Sequence, residues 1–283
     1  MMGEITILKK AVAAGLQDQG RVHFAEHGVP RSGSVDLNSA QKINSILGNE
    51  KYNTVLEWAL MGPTLQFSKA TYICLSHAST STKLNGNKIR AREKIYVSTN
   101  STLQLGAGSQ ILYQYLAIKG GFKSKQLLGS QSTLIDYNDL YQGRLEYEAI
   151  PEKQFNILRP IFDIPTIKSD QLVRVITALP GPEFDLLPQT AMQDLEQYFT
   201  LSQNRNRMGI HIKEQLTNSL PNMLSAPTIP GTIQLTSGGT MIILGRDCQT
   251  TGGYPRILWL PEASLAELYQ LQSGVKFRFD IVE

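Results

Sequence analysis

The run Val275-Lys-Phe-Arg-Phe-Asp-Ile281 decides how the rest of the chain is read. Val275, Phe277, Phe279 and Ile281 alternate with Lys276, Arg278 and Asp280. A period of two puts one face of an extended strand against a core and the other in water. Similar strand-like runs are TYICLSH (Thr71–His77), STLQLGA (Ser101–Ala107), ILYQYLAI (Ile111–Ile118) and QLVRVITAL (Gln171–Leu179). Turn residues such as Asn85–Asn87 and Gly120-Gly121 punctuate them. Short strands at this density predict a mainly β chain with a few helices, built as barrels or sandwiches rather than βαβ repeats.

Three helices are expected between the strands. Asp36 caps the first, which runs to Leu47 with Leu37, Ala40, Ile43 and Leu47 on one face and Gly48-Asn49 as its stop. Thr190 caps a second, AMQDLEQYF, with Met192, Leu195 and Phe199 on one face. The third starts at Pro261, buries Leu265, Leu268 and Leu271, and stops near Gly274. The proline-bearing stretch Arg159–Asp170 is the expected boundary between an N-terminal β-rich part, 1–165, and a C-terminal β-barrel part, 166–283.

Composition narrows the function. The chain has 283 residues, 41% apolar and 18% charged, which suits a folded protein with a sizeable core. Lys plus Arg is 27 against 24 for Asp plus Glu, and that excess is too small to imply nucleic acid or an anionic membrane as partner. Cys74 and Cys248 are far apart and form no disulfide framework, so a reducing compartment is expected. With no signal-peptide core and no apolar span, a cytoplasmic location is expected. The sequence has no P-loop, no H-E-x-x-H, no clustered Cys/His for a metal, no G-x-S-x-G elbow and no Met-flanked lysine for covalent biotin. His23 and His27 share a helical spacing, but the residues around them do not read as a helix.

Five polar, glycine-bearing clusters stand out: GLQDQGR (Gly15–Arg21), GVPRSGSVD (Gly28–Asp36), NRNRMG (Asn204–Gly209), GSQST (Gly129–Thr133) and DCQTTGGYPRI (Asp247–Ile257). Each combines backbone freedom with groups that suit a small polar ligand. Arg21, Arg207 or Arg256 could pair with a carboxylate in fork geometry. Asp18, Asp36 or Asp247 could orient water or take a proton. Gln17, Gln249, Thr250 and Thr251 offer donors and acceptors for an amide or lactam. Taken singly, each cluster reads as a turn in preference to a site, and Asp36 as a helix cap.

Together with LGN (Leu47–Asn49), LEWALMGPTLQF (Leu56–Phe67), LPGPE (Leu179–Glu183) and IPGTIQL (Ile229–Leu235), these clusters follow in an order that resembles the 5-oxoprolinase C-subunit family. That family is also called allophanate hydrolase subunit 2 or biotin-dependent carboxyltransferase-like. The resemblance implies a cyclophilin-like β-barrel architecture. It implies a partner resembling the B-subunit, also cyclophilin-like, and a third protein resembling the A-subunit. Together these cleave 5-oxoproline to glutamate at the expense of ATP, with Mg, bound here or on a partner. The matched motifs put Gln17, Asp18, Arg21, Ser32, Asp36, Arg207, Gln249, Thr250, Thr251, Gly252, Gly253 and Tyr254 on family positions.

The expected site therefore takes Asp18 or Asp36 as the catalytic acid. Arg21, Arg207 or Arg256 would clamp the substrate carboxylate, and Gln249 through Tyr254 would donate hydrogen bonds. Neither a metal site nor covalent biotin is expected. Two rival readings stay open. One is a non-catalytic chain that sequesters a kinase inhibitor resembling the B-subunit. The other is a carboxyltransferase component of a urea carboxylase/allophanate hydrolase-type system.

Overall fold

The computed structural model describes residues 1–108, 111–133, 144–151 and 174–282. The expected boundary at Arg159–Asp170 lies outside the described residues. The chain forms two compact units: Met1–Gly20 with Ser32–Thr166, and Arg21–Arg31 with Ile167–Glu283. The short segment Arg21–Arg31 thus belongs with the C-terminal residues.

Among the described residues, the first unit holds two sheets. A seven-stranded sheet runs Phe122–Lys123, Arg144–Glu148, Met2–Lys9, Thr64–Phe67, Thr102–Gln104, Lys83–Leu84, Asn87–Lys88. A five-stranded sheet runs Ala13–Gln17, Val55–Ala59, Tyr113–Ile118, Thr71–Leu75, Ile95–Val97. Both feed one core, in which Ile5, Leu65 and Phe67 from the first meet Leu56, Trp58, Leu75 and Leu116 from the second. Tyr113–Ile118 and Thr71–Leu75 are buried at every position, rather than half-buried as their likeness to the alternating strand implies, because a helix packs on them as well as the core between the sheets.

Helix α1 (Leu37–Leu47) packs on these two central strands. Its start and stop are local chemistry. Asp36 accepts a hydrogen bond from the Ser39 N–H, and Gly48 ends the helix at φ 63°, a left-handed conformation that glycine adopts without strain.

The second unit is a closed barrel. Its strand order is Arg174–Pro180, Arg256–Trp259, Thr232–Leu235, Thr240–Leu244, Gly209–Gln215, Phe199–Arg205, Lys276–Ile281. The last strand pairs in parallel with the first and seals the ring. Phe277 and Phe279 point inward at 0% and 4% exposure, as the alternation requires. Their rings lie 5.1 Å apart, and Phe199 sits 5.3 Å from Phe279. Burying each such ring contributes about 1.5–3 kcal/mol.

That cluster also explains where the second helix departs from expectation. Helix α2 spans only Gln189–Asp194, with Pro188 rather than Thr190 at its N-terminal cap and no side-chain cap bond. Phe199 opens a strand opposite Phe277 instead of completing a helical face. Its helical spacing from Leu195 is coincidental, because the aromatic core claims it for the barrel. Helix α3 (Glu262–Gln270) buries Leu265 and Leu268 and has Pro261 at its cap position. Among the described residues no helix is long and apolar enough to cross a membrane.

Candidate functional site

Three of the polar clusters meet in the first unit, around Asp18. Its Oδ1 accepts hydrogen bonds from the Ser130 and Ser132 hydroxyls, both at 2.6 Å, and from the Gly20 N–H at 2.8 Å. Its Oδ2 accepts from the Gln131 N–H at 2.7 Å. The Ser34 N–H reaches the Asp18 carbonyl at 3.0 Å. Gly33, at φ 90°, lies so close to this turn that a Cβ would fall 2.8 Å from the Gly20 nitrogen, so a side chain there would displace backbone. Nearby, the Asp36 carboxylate accepts from the Ser39 N–H and hydroxyl at 3.0 and 2.6 Å. Its own N–H donates to Tyr115 Oη at 2.8 Å. Burial, first, and then the Glu57 carboxylate push the Tyr115 phenol well above its usual range, so it stays neutral.

The second unit contains a cavity of about 280 Å³. One wall is the Arg21–Arg31 segment, a closed loop whose ends are tied by the Arg21 N–H donating to the Arg31 carbonyl at 2.6 Å. A single 3₁₀ turn at Ala25–His27 fills it, and His23, which also lines the cavity, adopts φ 72°. The facing wall comes from Arg246, Gln249, Thr250 and Trp259. Among the described residues, Arg21, Arg31 and Arg246 bring three positive charges to the lining against the single carboxylate of Glu262.

An ion pair and Thr228, which itself lines the cavity, hold the Arg246–Thr250 loop. Arg207 and Asp247, each 4% exposed, pair in a fork: Nε to Oδ2 at 2.7 Å and Nη2 to Oδ1 at 3.0 Å. The Asp247 N–H donates back to the Arg207 carbonyl at 3.0 Å. Thr228 fastens the next residues, its hydroxyl donating to the Gln249 carbonyl at 2.6 Å and its N–H to the Thr250 carbonyl at 2.9 Å. Burial, first, and the neighbouring Asp247 push the Cys248 thiol up to about 12, so it lines the cavity as an inert apolar group.

The sequence profile of the carboxyltransferase domain, subdomain A and B, matches residues 27–281. The chain belongs to this family. It is 32% identical to the 5-oxoprolinase C-subunit of Haemophilus influenzae, over 98% of this chain and 91% of that protein. It is 28% identical to the 5-oxoprolinase C-subunit of Escherichia coli, over 97% and 90%. The structure of Kluyveromyces lactis urea carboxylase superposes with a TM-score of 0.87 at 26% identity, covering 99% of this chain but only 27% of that one.

Within this carboxyltransferase-family chain, the residues singled out from sequence divide into three groups. Arg21, Gln249 and Thr250 line the cavity of the second unit. Arg207, Arg256 and Asp247 do not face it. Arg256 is committed to Glu183, with Nε to Oε2 at 3.0 Å and Nη2 to Oε1 at 2.8 Å, and its Nη1 donates to the Pro227 carbonyl at 2.8 Å. Thr251 and Gly252 pair with Ala226 and Pro227 in a two-stranded ribbon, and Tyr254 is 38% exposed. Asp18, Asp36, Gln17 and Ser32 belong to the first unit. Among the described residues no group of three or more His, Cys, Asp or Glu is placed to hold a metal.

The cavity also contains Arg31, which lies within GVPRSGSVD but is not among the residues singled out there, and three lining groups outside the motifs: Arg246, Trp259 and Glu262. Arg246 directly precedes the DCQTTGG stretch, so a window opened one residue earlier contains it. Trp259 and Glu262 carry no sequence signal, because a strand tryptophan and a helix-start glutamate are ordinary in those places.

Proposed function

We propose that this chain is one component of an ATP-dependent 5-oxoprolinase complex, an enzyme that opens a cyclic amide to give glutamate. The observation that carries the reading is collinearity. The chain is 32% and 28% identical to two bacterial 5-oxoprolinase C-subunits, with the matched segments in the same order over 91% and 90% of those proteins, against 26% identity with urea carboxylase. In this reading it works in the cytoplasm with two proteins that resemble the A- and B-subunits of that enzyme. The arginine-lined cavity binds 5-oxoproline. A compact acid suits about 280 Å³ better than a nucleotide does, so ATP and its Mg are assigned to a partner protein.

In this arrangement the cavity residues bind and orient. The positive wall draws in a carboxylate, Trp259 offers a flat apolar face, and Gln249 and Thr250 reach the ring amide. The Arg207–Asp247 fork keeps these groups in place without touching the ligand. The test measures 5-oxoproline-dependent ATP hydrolysis with the three proteins mixed and each omitted in turn. Full activity without this chain overturns the reading.

A second reading is favoured by the superposition on urea carboxylase: a carboxyltransferase component served by a separate biotin protein. Carboxyl transfer from a biotinylated carrier, with no 5-oxoproline turnover in the mixed proteins, selects it.

A further inference from the structure

Arg246 lines the cavity with a side chain only 3% exposed. Its Nη2 donates to Glu262 Oε1 at 2.8 Å. Its Nε is buried and finds no hydrogen-bond partner among the described residues. The Glu262 side chain is 44% exposed, so water already satisfies much of that carboxylate. The two buried or half-buried forks elsewhere in the unit differ. Arg207 is met by both oxygens of a buried aspartate, and Arg256 by both oxygens of Glu183 and a carbonyl. A buried guanidinium with an unmet N–H is costly, and that cost falls when a ligand brings a second acceptor.

We infer that Arg246 is the carboxylate-reading residue of the second unit's cavity, and that its ligand is a compact monoanionic cyclic amide acid. The carboxylate lies on the Arg246 guanidinium beside Glu262, the ring rests against Trp259, and the amide turns towards Gln249 and Thr250. Arg21 and Arg31 add positive potential that favours an anion over a neutral lactam. This deepens the 5-oxoprolinase reading, on which the choice of 5-oxoproline rests; the placement of the carboxylate rests on the cavity alone.

The test titrates the full chain, alone and assembled with its partners, by calorimetry or ligand-observed NMR. The probes are 5-oxoproline, 2-pyrrolidinone (the same ring without the carboxylate) and acetate (the carboxylate without the ring). Saturable binding of 5-oxoproline, with each fragment at least about tenfold weaker, supports the inference. Arg246→Lys keeps the charge but loses the fork. It is expected to weaken 5-oxoproline about tenfold or more while leaving 2-pyrrolidinone unchanged. Thermal melting and partner capture report whether the variant folds, and the wild-type fragment series stands even if it does not.

Equal binding of 5-oxoproline and 2-pyrrolidinone overturns the inference, as does no saturable binding in either state or wild-type affinity in a folded Arg246→Lys chain. The two proposals fail separately. If the chain is dispensable for turnover yet binds 5-oxoproline through Arg246, the complex reading falls and the site stands. If the chain is required but Arg246→Lys leaves KM unchanged, the site falls and the complex reading stands.

Discussion

Asp18 in the first unit and Arg246 in the second are both charged groups inside glycine-bearing turns, and they are treated oppositely. The Asp18 carboxylate accepts four hydrogen bonds from Gly20, Ser130, Gln131 and Ser132. Arg246 is more deeply enclosed, yet its side chain holds one half-exposed carboxylate and leaves Nε unmet. A charge whose hydrogen-bonding capacity is filled by its own chain organises that chain. A buried charge with capacity to spare is available to something that arrives later. By this criterion the bonds of Asp18, Asp36, Arg207 and Arg256 suit fasteners, and the proposed binding group is Arg246, which motif spacing does not select.

The largest test of that contrast is Asp247→Ala, which removes the carboxylate that forks onto the buried Arg207 guanidinium. It is expected to cost about 3–5 kcal/mol in urea unfolding, whereas replacing both partners by apolar residues of similar size costs much less. A folded Asp247→Ala chain of near wild-type stability would remove the fork as the support of the cavity wall. Next is Asp18→Asn, which turns acceptors towards donors and is expected to lose about 2–3 kcal/mol. If instead stability is kept and turnover of the assembled enzyme disappears, Asp18 is the catalytic acid and the contrast breaks. Asp36→Ala removes a helix cap and is expected to cost about 1 kcal/mol, with turnover per folded complex retained. Lost turnover in a folded, assembled Asp36→Ala complex would return that residue to the chemistry.

The smallest effect concerns Glu183. Hydrogen bonding by the Arg256 guanidinium, first, holds its carboxyl below the usual glutamate range despite burial, and in turn raises Arg256. The folded pKa lies under the unfolded one, so this stabilisation is complete above the unfolded value, about 4.3, and drains away as pH falls through the folded value. Unfolding midpoints followed from about pH 6 to about pH 3 should therefore fall less steeply in Glu183→Gln than in wild type. Parallel slopes would show that the Arg256 pair adds nothing to the acid limb.

The alternation in Val275–Ile281, the Asp36 cap with its Gly48 stop, and the mainly β character are legible in the sequence because each is governed by neighbours a few residues away. Side-chain period, capping and left-handed glycine act over one turn or one pleat. The second helix is not legible in the same way. The fate of Phe199 depends on Phe277 and Phe279, far along the chain, and local spacing cannot register that. The polar clusters are equally visible as residues, but not as a site. Arg207, Arg246 and Arg256 share the same chemistry in sequence and differ only in which carboxylate the folded chain sets beside each. Partner geometry arises from contacts as remote as Arg256 with Glu183, so the chain alone determined which charged groups exist, and only the tertiary structure decided which of them still has a bond to offer.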